Sequence, residues 1–344
     1  MIEQVVLGAG VVLSFLMAVT LGGNDAAEPT DCAVGAGVIS IKRAVLLFAV
    51  FTAVGALTQG FMVMKTVGKG IVPEISIAGA FASVAAAVFW VNLIASKMGI
   101  DVSVTHSIVG AVFGYGLVAY GFEGLNNQIL YLVILSWISS PFTALALAFL
   151  FYKLAIYIIR RFDIDPYDER VENILSKLLI FALIFSAYSF GVNDIANATG
   201  VYVTVAAKLG QVPDYNAMII LAALGSVGIA IGGYFIGPKV IETMAFKVTR
   251  LDLIKGISAE MSNALVVYLF STIPYIFIGF GLPISTSLAT AGSLIGVGLS
   301  AGGLSGIDKS TVLRLAFFWV LTVFVTMALS ASIYIVIRDY LGVA

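Results

Sequence analysis

Apolar runs of about twenty residues follow one another along almost the whole chain, and that spacing constrains the fold more than any motif. They fall near residues 5–40, 44–64, 75–97, 102–122 and 128–159, then near 178–208, 215–238, 256–281, 285–302 and 311–337. A hydrocarbon core about 30 Å thick is crossed by roughly 20 apolar residues in a helix, so each run matches one crossing. A membrane barrel would instead show alternating segments of roughly ten residues, and none are present. Apolar residues make up 60% of the chain and charged ones 11%, against roughly 25% charged in a soluble domain. The expected fold is an all-α integral membrane protein. The first run lacks a basic leader, Glu3 being its one charge, so it is expected to stay in the mature protein.

Between the two sets of five runs lies a charged stretch, "RRFDIDPYDERVENILSK", from Arg160 to Lys177. The expected organisation is a transmembrane repeat over 1–159, a cytoplasmic linker over 160–177 and a second transmembrane repeat over 178–344. Five crossings are odd, so the second half starts on the opposite side of the membrane from the first. With the N-terminus outside, only Lys65, Lys69, Lys208 and Arg338 of the 18 basic residues face outward. The other fourteen face inward, as the positive-inside rule requires. Both termini are therefore expected to be extracellular, the linker cytoplasmic, and the protein a multi-pass component of the cell membrane.

The halves also resemble each other. "GGNDAAEPT" (22–30) aligns with "GVNDIANAT" (191–199), and "SVTHSIVGAVFGYG" (103–116) with "STSLATAGSLIGVG" (285–298). Two motifs recurring in order in oppositely oriented halves predict inverted-topology repeats of about five segments each. In such proteins the helices are interrupted at corresponding positions and the binding site lies near the midplane.

The first motif carries acids where bilayer is expected. An ionised Asp at the centre of a span costs roughly 2.5–3.5 kcal/mol on insertion scales, so Asp25 and Asp194 need a partner, a proton or a cation. The glycine before each Asn-Asp pair predicts a break in the helix, over 22–31 and 191–197. Freed carbonyls there would join the acid in holding a hard cation such as Na⁺. Structural acids hydrogen-bonded between helices are the alternative, but equivalent aspartates in both halves are hard to explain by packing alone.

The second motif places Ser103, Thr105, His106 and Ser107, and again Ser285, Thr286 and Ser287, where apolar helices begin. Helix N-termini carry unpaired N–H groups and partial positive charge, so two of them facing each other would cradle a tetrahedral oxyanion. Ordinary N-capping by serine is the rival explanation. His106, the one histidine, is either a packing residue or a donor to the anion; Leu288 stands in its place in the second half. The glycines that follow are explained by close helix packing. Glu28 and Glu260 are the other intramembrane acids of note. The one cysteine, Cys32, excludes an internal disulfide and a multi-cysteine metal cluster and is read as a small packing residue. Nothing basic enough to bind nucleic acid is present.

On these motifs the chain resembles the inorganic phosphate transporter (PiT) family, whose hallmarks are a repeated "GANDxAN" and a "P-V-S-T-T-H" in each half. The matching stretches are "GGND" and "GVNDIAN", then "DVSVTHSIVGA" and "LPISTSLATAG", with "GPKVIET" and "LDLIKGISAEM" as further similarity. The resemblance implies a symporter that takes up inorganic phosphate with Na⁺, or in some members H⁺. It puts Asn24, Asp25, Asn193, Asp194 and Asn197 on the Asn-Asp motifs and Glu260 on an acidic position of the second half. It also puts Ser103, Thr105, His106, Ser285, Thr286 and Ser287 on the Ser/Thr motifs. The implied division of labour gives phosphate to those Ser/Thr residues and His106 with Ser107, Asn24 and Asn193. Na⁺ goes to Asp25, Asp194, Asn197, Glu28 and Glu260. No bound cofactor is implied beyond the coupling ion, and a homo-oligomer is compatible with the sequence. The chain departs from the family at Glu28 (Asn), Asp31 (Gly), Asp101 (Pro), Val104 (Thr) and Leu288 (His), and Thr52 falls where some relatives are acidic.

The family also contains sulfate permeases, so a sulfate symporter on the same scaffold is the nearest rival. A passive anion channel is a second. An intramembrane aspartyl protease is a third, but such enzymes carry their two acids in "YD" and "GxGD" motifs, whereas Asp25 and Asp194 both follow Asn.

Overall fold

In the computed structural model the described residues are 1–98, 102–248, 252–303 and 309–343. Among them fourteen α-helices are found and no strand. Asp101 lies outside the described residues. Helices α1 (Ile2–Asp25), α2 (Asp31–Gly35), α3 (Ile41–Gln59), α4 (Phe61–Lys69), α5 (Ile77–Met98), α6 (Val104–Tyr120) and α7 (Asn127–Arg161) make up the first half. The second comprises α8 (Glu169–Thr199), α9 (Val203–Gly210), α10 (Asp214–Phe235), α11 (Gly237–Thr243), α12 (Leu253–Ile278), α13 (Thr286–Gly302) and α14 (Lys309–Leu341). Seven helices among the described residues are long and apolar enough to cross a bilayer, with shorter apolar helices over Ile77–Leu93 and Val104–Tyr120. The run at 285–302 becomes the 17-residue α13, about 25 Å long at 1.5 Å per residue.

Little of the charged stretch at 160–177 is loop. Helix α7 runs to Arg161, and α8 begins at Glu169 behind Asp168, whose carboxylate accepts from the backbone N–H groups of Arg170 and Val171. An acid in that position satisfies two of the N–H groups a helix start leaves open.

Of the two expected helix breaks, the one over 22–31 is present, though it starts only after Asp25, and the one over 191–197 moves. Helix α8 passes unbroken through Gly191 and the Asn193-Asp194 pair, giving way to a 3₁₀ turn only at Gly200–Tyr202. Helix α1 likewise continues through Asp25, and the chain leaves the helix afterwards, in the turn at 26–30. The glycines serve close approach instead of a break. A Cβ on Gly191 would lie 2.0 Å from the Thr52 carbonyl oxygen of α3, and one on Gly22 would lie 1.9 Å from that of Ile229 in α10. The later glycines do the same, as expected: a Cβ on Gly114 would meet the Met327 carbonyl of α14 at 2.1 Å, and one on Gly292 that of Pro141 in α7 at 2.3 Å. Pairs of backbones in near contact thus set the helices around an interior that is partly polar. Ion pairs of Lys69 with Asp214 and Lys208 with Glu74 tie neighbouring elements together at one end.

Candidate functional site

Both Ser/Thr motifs begin helices as the capping chemistry requires. Ser103 caps α6, its Oγ accepting from the His106 N–H at 3.2 Å, and Ser285 caps α13 by accepting from the Leu288 N–H at 3.3 Å. Because both caps use backbone donors, the change from His to Leu at 288 leaves the second cap intact. The His106 ring adds a bond its counterpart lacks, Nδ1 to Ser103 Oγ at 2.6 Å. Ser107 turns its hydroxyl back onto the Ser103 carbonyl at 2.9 Å. Thr286 is buried and Ser287 half-buried on the first turn of α13.

The chain from Gly281 to Ser285 is non-helical, as expected where Pro283 removes an N–H and restricts the residue before it. Its carbonyls are gripped one after another by three different helices. Asn193 Nδ2 of α8 donates to Leu282 O at 3.2 Å, Trp137 Nε1 of α7 to Pro283 O at 2.8 Å, and Thr105 Oγ1 of α6 to Ile284 O at 3.0 Å. Trp137 also packs its ring against His106, with centroids 4.0 Å apart. The start of α6 is thereby fastened to the lead-in of α13.

Helix α8 supplies the polar centre. Asn197 Nδ2 donates to Thr105 Oγ1 at 2.9 Å and to Asp194 Oδ1 at 2.8 Å, and Asn193 Nδ2 donates to Ser271 Oγ of α12 at 2.8 Å. All three residues are 0–1% exposed. The side-chain amide hydrogens of the two asparagines are used, yet Asn193 Oδ1, Asp194 Oδ2 and Asn197 Oδ1 have no hydrogen-bond partner among the described residues. A buried acceptor left in that condition costs roughly 1–3 kcal/mol. Three acceptor oxygens within two turns of one helix are of the kind a hard cation takes as ligands.

The first-half residues gather less tightly. Asp25 is buried on the last turn of α1, and Asn24 beside it is half-buried and outside the α8 network. Glu28, in the turn after α1, accepts from Ser287 Oγ at 2.6 Å and lies within electrostatic reach of Asp194 and Glu260. Glu260 sits apart from Asp194, with Asp31 and Cys32, and is hydrogen-bonded to Ser186 and Cys32. Cys32 is buried in the apolar core, as expected of a packing residue, and also has the two acids beside it. Thr52, where some relatives are acidic, gives its hydroxyl hydrogen to the Ala187 carbonyl at 3.1 Å.

Ser271, Trp137 and the three gripped carbonyls were not foreseen. Ser271 and Trp137 stand in apolar helical runs with no local signal. The extended stretch was signalled by "GLPIS", whose proline precedes the cap.

Fold and site together define a polytopic helical membrane protein of the solute-transporter class. The model of the phosphate transporter family matches residues 21–330, and the chain belongs to that family. It is 31% identical to a protein named as a phosphate permease in Pyrococcus abyssi, over 94% of this chain and 96% of that one. It is 30% identical to a sulfate permease of Bacillus subtilis, over 94% and 85%. Among solved structures it matches one titled the sodium-dependent phosphate transporter, with a TM-score of 0.83, 29% identity and coverage of 98% and 100%. The family and these relatives are transporters, not enzymes, which disposes of the protease reading.

Proposed function

We propose that this chain is a secondary-active symporter that imports inorganic phosphate with Na⁺, by alternating access between two inverted repeats. The observation that carries the proposal is the set of buried acceptor oxygens on Asn193, Asp194 and Asn197, one hydrogen bond from Thr105 and the facing helix starts. Na⁺ is the cation suited to them, and the solved relative titled as sodium-dependent supports the choice. The anion sits between the starts of α6 and α13, where helix-end N–H groups and the hydroxyls of Ser103, Thr105, Ser285, Thr286 and Ser287 supply donors without a buried lysine. Asp25 and Glu28 add negative charge around the ion path.

Coupling follows from electrostatics. With the Asp194 carboxylate unneutralised, its field and that of Glu28 repel an oxyanion; Na⁺ removes the repulsion, so each solute raises the affinity for the other. The chain between Gly281 and Ser285 is the element both solutes act on, since Asn193 and Thr105 hold its carbonyls. Its movement with the repeats exposes the site to one side and then the other. The termini are outside and the linker inside, by the distribution of lysine and arginine.

Sulfate is the second reading, supported by the near-equal identity to the sulfate permease. Reconstitution in proteoliposomes decides, with labelled phosphate and labelled sulfate offered under separate Na⁺ and H⁺ gradients. Phosphate accumulation driven by inward Na⁺ is expected. Uptake indifferent to both Na⁺ and pH would overturn symport, and labelled sulfate that excess phosphate fails to displace would overturn the choice of anion.

A further inference from the structure

Away from the α8 centre, α2 and α12 bring Asp31, Cys32 and Glu260 together. A carboxylate oxygen from each acid and the Cys32 sulfur all lie within 4.8 Å of one another. The three residues are 2%, 3% and 3% exposed. Two observations set this apart from a packing cluster. Although Glu260 is hydrogen-bonded to Ser186 and Cys32, its Oε1 is buried with no hydrogen-bond partner among the described residues. The charged groups that act on Glu260 there, Asp31 and Glu28, are both acids. A leftover acceptor amid concentrated negative charge calls for a cation.

We infer that Asp31, Cys32 and Glu260 form a binding site for a divalent transition-metal ion of the Zn²⁺ class, which clamps α2 to α12. The sulfur decides the class. Na⁺, Mg²⁺ and Ca²⁺ take oxygen, whereas a thiolate with carboxylates suits Zn²⁺ and its spectroscopic stand-in Co²⁺. Bonds of about 2.0–2.3 Å in a tetrahedral site set ligand atoms about 3.3–3.8 Å apart, so atoms lying within 4.8 Å of one another need close by no more than about 1–1.5 Å on binding. The incoming hydrated ion sheds waters to the three side chains and keeps one as its fourth ligand, while the thiol proton of Cys32, with its hydrogen bond to Glu260, is lost to solvent. This site differs from the proposed coupling-ion centre in ligands, helices and chemistry. It bears on transport because α2 follows the turn that carries Glu28, and Glu28 holds Ser287 at the start of α13.

The test uses the purified full chain in detergent, stripped with a chelator and titrated with Co²⁺. The chain has one cysteine, so a near-ultraviolet thiolate-to-Co²⁺ charge-transfer band reports on this site alone. One Co²⁺ per chain is expected, with that band, displaceable by Zn²⁺, and Zn²⁺ should raise the Tm. Cys32→Ser should abolish the band and weaken Zn²⁺ binding at least about tenfold. Asp31→Asn should weaken Zn²⁺ binding while keeping the band, and serves if the serine variant does not fold. Failure of the wild-type chain to give a stoichiometric band overturns the inference. So does Zn²⁺ affinity that is unchanged in the variants.

Discussion

Ser287 donates its hydroxyl hydrogen to Glu28 at 2.6 Å, joining the turn after α1 to the first turn of α13. Glu28, one of the acids that depart from the family pattern, therefore touches the second-half Ser/Thr motif directly. It is also within electrostatic reach of Asp194, so it contributes to the field that attracts a cation. Glu28→Gln removes that charge while keeping an acceptor for Ser287. The Na⁺ concentration for half-maximal uptake is expected to rise several-fold, since one hydrogen bond to a charged group is worth roughly 1.5–3 kcal/mol and part of it survives. Uptake measured against Na⁺ concentration checks this, and an unchanged curve counts against any part for Glu28 in ion binding.

Asp194→Asn is expected to abolish Na⁺-driven uptake, because the charged member of the α8 acceptor set is gone. Binding to the folded state alone stabilises it, by roughly 2.7 kcal/mol at a ligand concentration a hundredfold above Kd. The wild-type chain should therefore unfold at higher temperature in Na⁺ than in a large organic cation, and Asp194→Asn should lose the difference. Asn197→Ala should shrink it. An Na⁺-dependent shift that survives in Asp194→Asn places the ion elsewhere.

The parts of the site legible in the sequence were those with a local cause. Ser103 and Ser285 announce helix starts because a cap acts within three residues of its own position. Gly22 and Gly191 were correctly singled out but given the wrong task. Glycine signals equally a loosened backbone and a close neighbour, and only the positions of Ile229 and Thr52 decide between them. Ser271 and Trp137 were invisible because their partners, Asn193 and Pro283, come from distant parts of the chain. The closeness of Cys32 to Glu260 was invisible for the same reason, the two lying in different halves.

The glycine contacts give a paired stability test. Gly191→Ala drives a Cβ to 2.0 Å from the Thr52 carbonyl oxygen, and backbone cannot rotate away as a side chain can. Overpacking of this kind costs roughly 1–3 kcal/mol or more. Gly298→Ala meets nothing within 4 Å, and alanine gains up to about 1 kcal/mol over glycine in a helix interior. Thermal unfolding in detergent should show the first variant destabilised, or yielding little monodisperse protein, and the second unchanged or more stable. Equal behaviour of the two would refute the account of α3–α8 packing.

Capping and anion binding by Ser285 make opposite demands, and one substitution separates them. Its Oγ accepts from the Leu288 N–H at 3.3 Å and it is 1% exposed. Aspartate caps helices as well as serine does, and its charge favours the N-terminal end of the dipole, whereas alanine costs about 1 kcal/mol. If Ser285 only caps α13, Ser285→Asp keeps both the unfolding temperature and uptake, and Ser285→Ala is the more harmful change. If an oxyanion lies against the start of α13, the new carboxylate occupies its place and repels it. Ser285→Asp should then fold with near-wild-type stability and fail to take up phosphate, while Ser285→Ala keeps measurable uptake with a raised KM. The second pattern is expected, since Thr105 already joins the start of α6 to the Ile284 carbonyl beside Ser285, and comparison of unfolding temperature with uptake in the two variants decides it.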